Sequence, residues 1–566
     1  MPGINKLYIC AKENNNLRPL TIAILILLIL AVRFYYYSGP IFANSQDEGI
    51  YLNTYALVVL FHNPLTFSQY SHVNLSNFSQ CNCNPAQEFQ FYVGFIYPEI
   101  LLLKTFGFSA NLAIYYIIFT SVVEGIFIFL IIERVSRFRA AVMGTILFAF
   151  FPVDVLFSTH VQPLIPAMML ITISTYLFIV GKDKASSLLR QDKRKSKSFF
   201  IASGIFAGLA YITNPIGSLV IALLVFVLSI TTIYSVLRKK SRYEEQLLYI
   251  AMLVFGFMLA YSIIGVVYLA ESGNYFLYPS LSHAVYVYQD ATQPQISYCL
   301  TNSICINYTT GYPYFYPSVL SDYTISIDSY LKYFGISLYV FIAMLFLSII
   351  LPKNKNWSSF FIFAFVFYLS AIMVFPSNVA VANGKLIYYT ISEATYITTI
   401  LTLPMIVVIS IGLEAMIAKK SAIVTILAIA ILLITIYSYV IVLNNDVSFY
   451  RASMFTLHSL ISYVQAHPFY QFYGQFYFAG EANLLTSYAY KINYLENCSA
   501  SYLKSMPNGT YIVTGGTPSF DLSPSITDNF DLCVIQNLTG YTEIYEVSNP
   551  FANYSGDAPP LKIFKK

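Results

Sequence analysis

Charge is scarce in this chain of 566 residues. Asp, Glu, Lys and Arg together make up 10% of it, whereas 57% of the residues are hydrophobic and the mean hydropathy is +0.63. A soluble domain is about one quarter charged, so the composition excludes an ordinary soluble protein. The sequence also lacks a Gly-rich phosphate loop, a paired-histidine metal motif and an internal repeat, and it contains a single Trp. It therefore offers no local motif for nucleotide or zinc chemistry.

The sequence contains many long apolar runs. A helix that spans a bilayer needs about 20 apolar residues. Eleven runs are candidates: 19-38, 109-132, 139-157, 162-181, 199-213, 216-237, 248-269, 335-351, 358-375, 390-417 and 421-443. The first run lacks a small-residue cleavage site and is too long for a removed signal, so we expect it to be a retained anchor. The sequence predicts a polytopic α-helical membrane protein with about 11 transmembrane helices in residues 1-443.

The distribution of Lys and Arg predicts the orientation. Most of the 31 basic residues fall in short loops on one side of the predicted spans, for example Lys193-Arg194-Lys195. This positive-inside pattern predicts a multi-pass protein of the cell membrane with a cytoplasmic N-terminus. The loops 39-108 and 271-333 and the C-terminal segment then lie outside. The basic runs are explained by topology and by attraction to anionic membrane lipid, so we expect no nucleic acid partner.

Six of the seven cysteines fall on the predicted outer side, and only Cys10 falls inside. An even number of outer cysteines indicates disulfides in an oxidising space. The favoured pairs are Cys299 with Cys305 and Cys498 with Cys533. A zinc site is the alternative that the cysteines leave open.

Hydropathy falls after residue 443, and residues 444-566 alternate like a small external α+β domain. A helix is predicted near 446-465. Strands are predicted at Thr510-Val513, Leu532-Ile535 and Glu543-Val547.

The first outer loop, 39-108, is longer than a connection between two spans requires, which is typical of functional loops. Ser45 followed by Glu48 is a capping-box pattern and predicts a helix over 46-62. Glu48 is open to two interpretations, a helix cap or a catalytic acid. Asp47 is the stronger functional candidate, because its effect on the helix dipole is one that many positions supply equally well. A second interfacial helix is expected over 88-106.

Two cations are candidates for binding a phosphate at the outer surface, Arg33 and Lys385. For Arg33 the alternative is snorkelling near the end of its helix. The outward turn before the fourth span contains His160 and Gln162, and for His160 the alternative is a solvated helix cap. The Tyr-rich loop 271-333 suits either a sugar-binding groove or an aromatic belt.

Three stretches together resemble a known family. They are Arg33-Phe34-Tyr35-Tyr36-Tyr37, then Asp47-Glu48-Gly49-Ile50-Tyr51, and Phe157-Ser158-Thr159-His160-Val161-Gln162-Pro163-Leu164. The chain is similar to polyprenyl-phosphate-dependent glycosyltransferases of the GT-C fold, and within it to the protein mannosyltransferase and lipid A aminoarabinose transferase group. The resemblance implies that Asp47 acts as general base or positions the acceptor and that Glu88 is a functional acid. It places Tyr51 with Arg33, His160, Gln162 and Lys385 among the substrate-binding residues.

The expected reaction is transfer of a sugar, with inversion, from a polyprenyl (dolichyl) phosphate to a hydroxyl of a protein, lipid or glycan on the outer face. Archaeal origin would suit the composition. A divalent metal bound by Asp47 or Glu88 is left open by the sequence. The alternatives are a polytopic transporter and a receptor or envelope-assembly scaffold. A transporter requires ionisable groups or broken helices at mid-membrane, and in this sequence only Glu124 and Glu414 are expected to lie deep.

Overall fold

Helices dominate the part of the chain that the structure describes. The computed structural model describes residues 17–39, 51–52, 55–56, 58–60, 93–186, 190–214, 216–237, 243–272, 334–350, 355–374, 378–382, 385–389, 398–419, 421–474, 483, 486, 489–490, 492–495, 497–514, 533–548, 550 and 560–566. The helices are, in chain order, α1 Leu17–Tyr36, α2 Val93–Phe106, α3 Ala110–Val135, α4 Phe138–Phe150, α5 Pro152–Phe157, α6 Leu164–Ser186, α7 Arg190–Thr213, α8 Gly217–Leu237, α9 Tyr243–Ser272, α10 Ser337–Ile350, α11 Lys355–Val374, α12 Thr402–Ile417, α13 Ala422–Ala466 and α14 Ala500–Ser505.

Among the described residues, eight helices are long and apolar enough to cross a membrane. They contain residues Arg18–Tyr36, Ala110–Val135, Leu164–Ser186, Arg194–Thr213, Gly217–Tyr234, Glu244–Ile263, Thr399–Ile417 and Ala422–Asn444. Three shorter apolar helices, Phe138–Phe150, Ser337–Leu347 and Trp357–Ser370, fall on three further predicted runs. The prediction of a polytopic helical membrane protein is confirmed.

The predicted run 139-157 is not one helix, and Pro152 is the reason. Proline has no N–H and disfavours helical torsion angles at the residue before it. Phe151 is accordingly extended, with φ −63° and ψ 117°, so α4 ends and the six-residue α5 begins at Pro152. The last carbonyls of α4 therefore need hydrogen-bond donors from elsewhere.

The last long helix, α13, joins two elements that the sequence analysis separates. A single helix of 45 residues covers the predicted span 421-443 and the predicted helix 446-465. At 1.5 Å per residue it is about 67 Å long, roughly twice the thickness of the hydrocarbon core of a bilayer. The predicted domain boundary at 443/444 thus lies inside a helix that connects the bundle to the C-terminal domain.

Ion pairs mark the end of the bundle that has the basic loops. Arg18 in α1 pairs with Glu133 in α3 at 2.6 Å, and Arg137 pairs with Glu414 in α12 at 3.5 Å. Glu414 therefore lies at this basic end and not deep in the bundle. We call the opposite end the outer end, after the orientation that the basic loops predict; the loop 39-108 and the C-terminal domain follow from this end.

The C-terminal domain is built on a five-stranded sheet. A separate hairpin consists of β1 Asn378–Ala382 and β2 Lys385–Tyr389, and the sheet consists of β3 Gln471–Gly474, β4 Asn493–Tyr494, β5 Thr510–Thr514, β6 Thr542–Val547 and β7 Leu561–Lys565 in the order β4-β3-β5-β7-β6. Strand β3 is parallel to β4 and β5, whereas β7 is antiparallel to β5 and β6. Buried Phe472 and Ile563 share one core with Val32 of α1 and Leu443 of α13. The sheet therefore packs against the outer ends of two bundle helices.

Two of the three predicted strands are confirmed, at β5 and β6, and the third is wrong. Residues 533–537 are helical. Cys533 is bonded to Cys498 with the Cα atoms 5.7 Å apart, and the Asn537 side chain donates to the Cys533 carbonyl at 2.9 Å. These two constraints favour a helical turn over an edge strand. The disulfide joins the pair that the sequence favours, whereas Cys299 and Cys305 lie outside the described residues.

Glycines allow α7 and α9 to approach closely. A Cβ on Gly204 would lie 2.0 Å from the Leu253 carbonyl oxygen, and a Cβ on Gly256 would lie 2.1 Å from the Ile201 carbonyl oxygen. Both contacts are to backbone, which cannot rotate away. Close approach at small residues is a usual way to pack helices in a membrane.

Gly256→Ala should therefore force α7 and α9 apart and destabilise the protein by about 1–3 kcal/mol, the usual range for overpacking. The thermal unfolding midpoint in detergent measures this loss. Ala251→Val adds volume to an exposed position of the same helix and is the matched control. Equal stability of the two variants would contradict the close packing.

Candidate active site at the outer end of the bundle

The structure describes part of the predicted site. Asp47, Glu48 and Glu88 lie outside the described residues. Lys385 begins β2 opposite Ala382, and only its backbone is described. Arg33, Tyr51, His160 and Gln162 are described with their side chains, and all four are buried.

A helix follows the Asp47-Glu48-Gly49-Ile50 stretch, and we call residues 51–60 the loop helix. Its described residues are helical through Val59, which agrees with the predicted helix over 46-62. Tyr51, Leu52, Tyr55, Ala56 and Val58 are all at most 1% exposed. Their spacing places them along one side of a helix. That side packs against α2 and α3 in a single apolar cluster.

Tyr51 is a packing residue in this arrangement. Its ring meets Phe95 of α2 edge-on, with the ring centroids 5.3 Å apart and an interplanar angle of 84°. Edge-to-face pairs of this kind add about 0.5–1.5 kcal/mol to the burial of the rings. Tyr51 therefore fixes the start of the loop helix on α2.

The turn 158–163 joins the same cluster. Its Val161 is buried with the loop helix, α2 and α3. The turn is built on α5, because the Ser158 amide donates to the Asp154 carbonyl at 3.0 Å and the Thr159 hydroxyl donates to the Leu156 carbonyl at 2.7 Å. The structure thus brings the turn and the loop helix together, although they are about 100 residues apart in the sequence.

His160 and Gln162 are 4% and 7% exposed. The interpretation of His160 as a solvated helix cap is therefore wrong. Burying an imidazole and an amide at the outer end of the spans costs free energy, because both groups lose their hydrogen bonds to water. Buried groups of this kind need hydrogen-bond partners, which can come from the protein or from a ligand.

Arg33 neither snorkels nor reaches the outer surface. Its side chain is fully buried, and its guanidinium donates to the Ser121 hydroxyl at 3.1 Å, to the Ala149 carbonyl at 2.6 Å and to the Phe148 carbonyl at 3.4 Å. It also lies over the Phe148 ring, 5.2 Å from the centroid. The two carbonyls belong to the last turn of α4, where Pro152 has no N–H to donate to Phe148, so that the Phe148 carbonyl accepts from the Phe151 amide at 3.1 Å instead. Arg33 caps α4 from α1.

Two buried carboxyls neutralise this guanidinium. Glu124 of α3 and Asp154 of α5 are both fully buried and both interact electrostatically with Arg33. The hydroxyl of Thr402 in α12 lies beside the Asp154 carboxyl, and Tyr439 of α13 is also close to it. We call Arg33, Glu124 and Asp154 the buried triad. It connects α1, α3 and α5, and the contacts of Asp154 extend the connection to α12 and α13.

One guanidinium beside two carboxyls is electrically neutral when the two carboxyls together hold one proton. A buried cluster favours that state, because an uncompensated charge in a low-dielectric interior is costly.

A further carboxyl, Glu99 of α2, was not expected from the sequence. It is fully buried beside the Tyr55 hydroxyl of the loop helix. The only sequence signal is a single acid that follows Pro98 in an apolar stretch. A hydropathy average does not single it out, because one charged residue is compatible with an interfacial helix.

Within the described ranges, no group of three or more His, Cys, Asp or Glu side chains is arranged to hold a metal ion. The two residues proposed as metal ligands, Asp47 and Glu88, lie outside those ranges.

Arg33→Met should be strongly destabilising, because it removes the positive charge near two buried carboxyls and the donor to two α4 carbonyls. The expected loss is about 3–5 kcal/mol, read from denaturant or thermal unfolding in detergent. The triple variant Arg33→Met, Glu124→Gln, Asp154→Asn should regain part of that loss, because it also removes the carboxylate charges.

The control is Arg451→Met, since Arg451 contacts Tyr35 at an exposed position of the outer end. If Arg33→Met were as stable as this control, or if the triple variant were less stable than the single one, the charge balance of the buried triad would be refuted.

No family model and no curated protein matches this chain. Among solved structures, it is similar to the Archaeoglobus fulgidus oligosaccharyltransferase tethered with an acceptor peptide that contains the NVT sequon. That match has 11% identity, covers 89% of this chain and 69% of the other, and has a TM-score of 0.47. It is also similar to ArnT from Cupriavidus metallidurans bound to undecaprenyl phosphate, with 12% identity, coverage of 96% and 97%, and a TM-score of 0.48.

Proposed function

We propose that this chain is a membrane glycosyltransferase of the mannosyltransferase-like class. It transfers a sugar from a polyprenyl (dolichyl) phosphate to a hydroxyl of a protein, lipid or glycan at the outer end of the bundle. The observation that carries the proposal is the common packing of the loop helix and the turn 158–163. These two elements contain or directly follow the motifs on which the resemblance to this family rests, and the fold holds them side by side at the end of the spans.

The chemistry needs one base. In the proposed reaction the Asp47 carboxylate accepts the proton of the acceptor hydroxyl while the hydroxyl oxygen attacks the anomeric carbon. The bond from that carbon to the phosphate oxygen breaks, and the polyprenyl phosphate leaves with the electron pair. A single displacement inverts the configuration at the anomeric carbon and forms no covalent enzyme intermediate. Glu48 and Glu88 are proposed as supporting acids in the same outer loop.

The leaving phosphate needs a cation, and the structure favours Lys385 over Arg33. All three nitrogens of the Arg33 guanidinium donate within the protein, and its side chain is fully buried. Lys385 starts a strand in the segment between α11 and α12, which the predicted topology places outside. We therefore propose Lys385 as the phosphate contact and Arg33 as the residue that holds the bundle around the site.

His160 and Gln162 are proposed as hydrogen-bonding groups for the donor phosphate or the sugar. Their support is their burial at the outer end of the spans, in the turn that packs beside the loop helix. Buried polar groups of this kind orient a ligand more than they stabilise a fold.

The buried triad supports a second candidate, a polytopic transporter. Ionisable groups inside spans often mark ion or proton pathways. The capping of α4 by Arg33 gives this cluster a structural explanation, which makes the transferase the better-supported function.

The test is transfer of radiolabelled sugar from a panel of polyprenyl-phosphate sugars in membranes. Asp47→Asn should lower the rate by about 10²–10⁴-fold, the usual contribution of a general base, with the folded fraction unchanged. Glu244→Gln, which alters an exposed acid at the basic end, is the matched control and should retain the wild-type rate.

Equal transfer by wild type and Asp47→Asn would remove Asp47 from the reaction and direct attention to Glu48 and Glu88. If folded wild-type protein transferred sugar from no donor to any acceptor, uptake assays in sealed vesicles would test the transporter instead.

A further inference from the structure

Glu99 is a buried acid that the proposed reaction does not use. It lies in α2 directly after Pro98, and its side chain is fully buried. The surrounding cluster is otherwise apolar and includes Phe95, Ile96 and Ile100 from the same helix. A Leu or Met would fill such a position without the cost of desolvating a carboxyl. The presence of an acid here therefore calls for a partner.

That partner is in the loop helix. The Tyr55 hydroxyl lies near the Glu99 carboxyl inside the same apolar cluster. Both groups are fully buried, and neither has a hydrogen-bond partner of ordinary geometry among the described residues. Tyr116, in the second turn of α3, also interacts with the carboxyl. Glu99 thus faces one tyrosine from the loop helix and one from the bundle, and it is the polar contact between the loop helix and α2.

Burial raises the pKa of the Glu99 carboxyl well above its ordinary value, and the Tyr55 hydroxyl opposes part of this rise. Burial likewise raises the pKa of Tyr55. These shifts favour the neutral form of both groups. A neutral carboxyl is at once a donor and an acceptor, so it can bond to a phenol without a charge in the apolar cluster.

We propose that Glu99 is a positioning residue: its carboxyl group binds the Tyr55 hydroxyl and holds the loop helix against α2 and α3. Its contribution to catalysis rests on the proposed function, because the loop helix directly follows Asp47 and Glu48 in the sequence. Docking of the loop helix is independent of that function and can be measured by itself.

The sign of the pH effect follows from the raised pKa. An acid that binds its proton more tightly in the docked state stabilises docking at low pH, and this stabilisation is lost as the pH rises from the ordinary carboxyl range through the raised pKa. The titratable groups of the described residues that face Glu99 are Tyr55 and Tyr116. On α7, which meets α2 at Gly94, the contacting residues are Ile212 and Thr213, and neither titrates.

The test is amide hydrogen exchange of the loop helix in the full-length protein in nanodiscs. Glu99→Ala and Tyr55→Phe should each increase exchange of residues 51–60 about tenfold, the effect of losing one buried hydrogen bond. Glu99→Gln keeps a neutral donor and acceptor and should stay within about threefold of wild type, as should the control Glu244→Gln. The double variant Glu99→Ala, Tyr55→Phe should exchange no faster than the faster single variant.

In wild type, exchange of residues 51–60, corrected for the intrinsic rate, should rise with pH, and in Glu99→Gln it should not. Unchanged exchange in Glu99→Ala, or the same pH dependence in Glu99→Gln, would overturn the proposal. A second arm measures transfer from dolichyl phosphate mannose, where Glu99→Ala should lower kcat about tenfold at a similar KM and Glu99→Gln should restore it. Absence of transfer by wild type would count against the proposed function and leave the exchange result decisive for Glu99.

Discussion

A fully buried guanidinium is the constraint on which the outer end of this bundle depends. Arg33 is surrounded by protein, so its donors must find acceptors and its charge must be balanced inside the bundle. The acceptors exist because Pro152 ends α4, so that the carbonyls of Phe148 and Ala149 lie in its last turn and can accept from Arg33. The balance comes from Glu124 and Asp154. The partners of Arg33 lie on α3, α4 and α5, so satisfying one side chain fixes these three helices relative to α1.

The buried triad also positions the candidate site, because two of its residues lie next to the segments that form the site. Arg33 is near the end of α1, from which the first outer loop departs, and Asp154 lies in α5, on which the turn 158–163 is built. The buried triad thus sets where both segments begin. The loop helix is held against α2 by two contacts. The Tyr51 ring packs edge-on against Phe95, and the Tyr55 hydroxyl lies near the Glu99 carboxyl. The site is therefore supported at both of its edges by buried contacts.

The parts of the fold that depend on local pattern were predictable, and those that depend on distant partners were not. The eleven apolar runs correspond to helices because hydropathy is a property of neighbouring residues. The break at Pro152 is visible in the sequence but is hidden inside a continuous apolar run, and the strand expected at 532-535 is overridden by a disulfide to Cys498. The partners of Arg33 are 88 to 116 residues away, so the sequence offered only snorkelling or phosphate binding. The roles of Asp47, Glu48 and Glu88 remain predictions.

The central claim is that a polyprenyl phosphate binds at the outer end, beside the loop helix and the turn 158–163. Photo-crosslinking with a diazirine-bearing polyprenyl phosphate, followed by peptide mapping, tests it most directly. The account predicts labelling within residues 43–60, within 158–163 or near Lys385, and loss of that labelling on competition with excess unmodified polyprenyl phosphate. Competable labelling confined to the basic loops at 182–198 and 238–242 would contradict it.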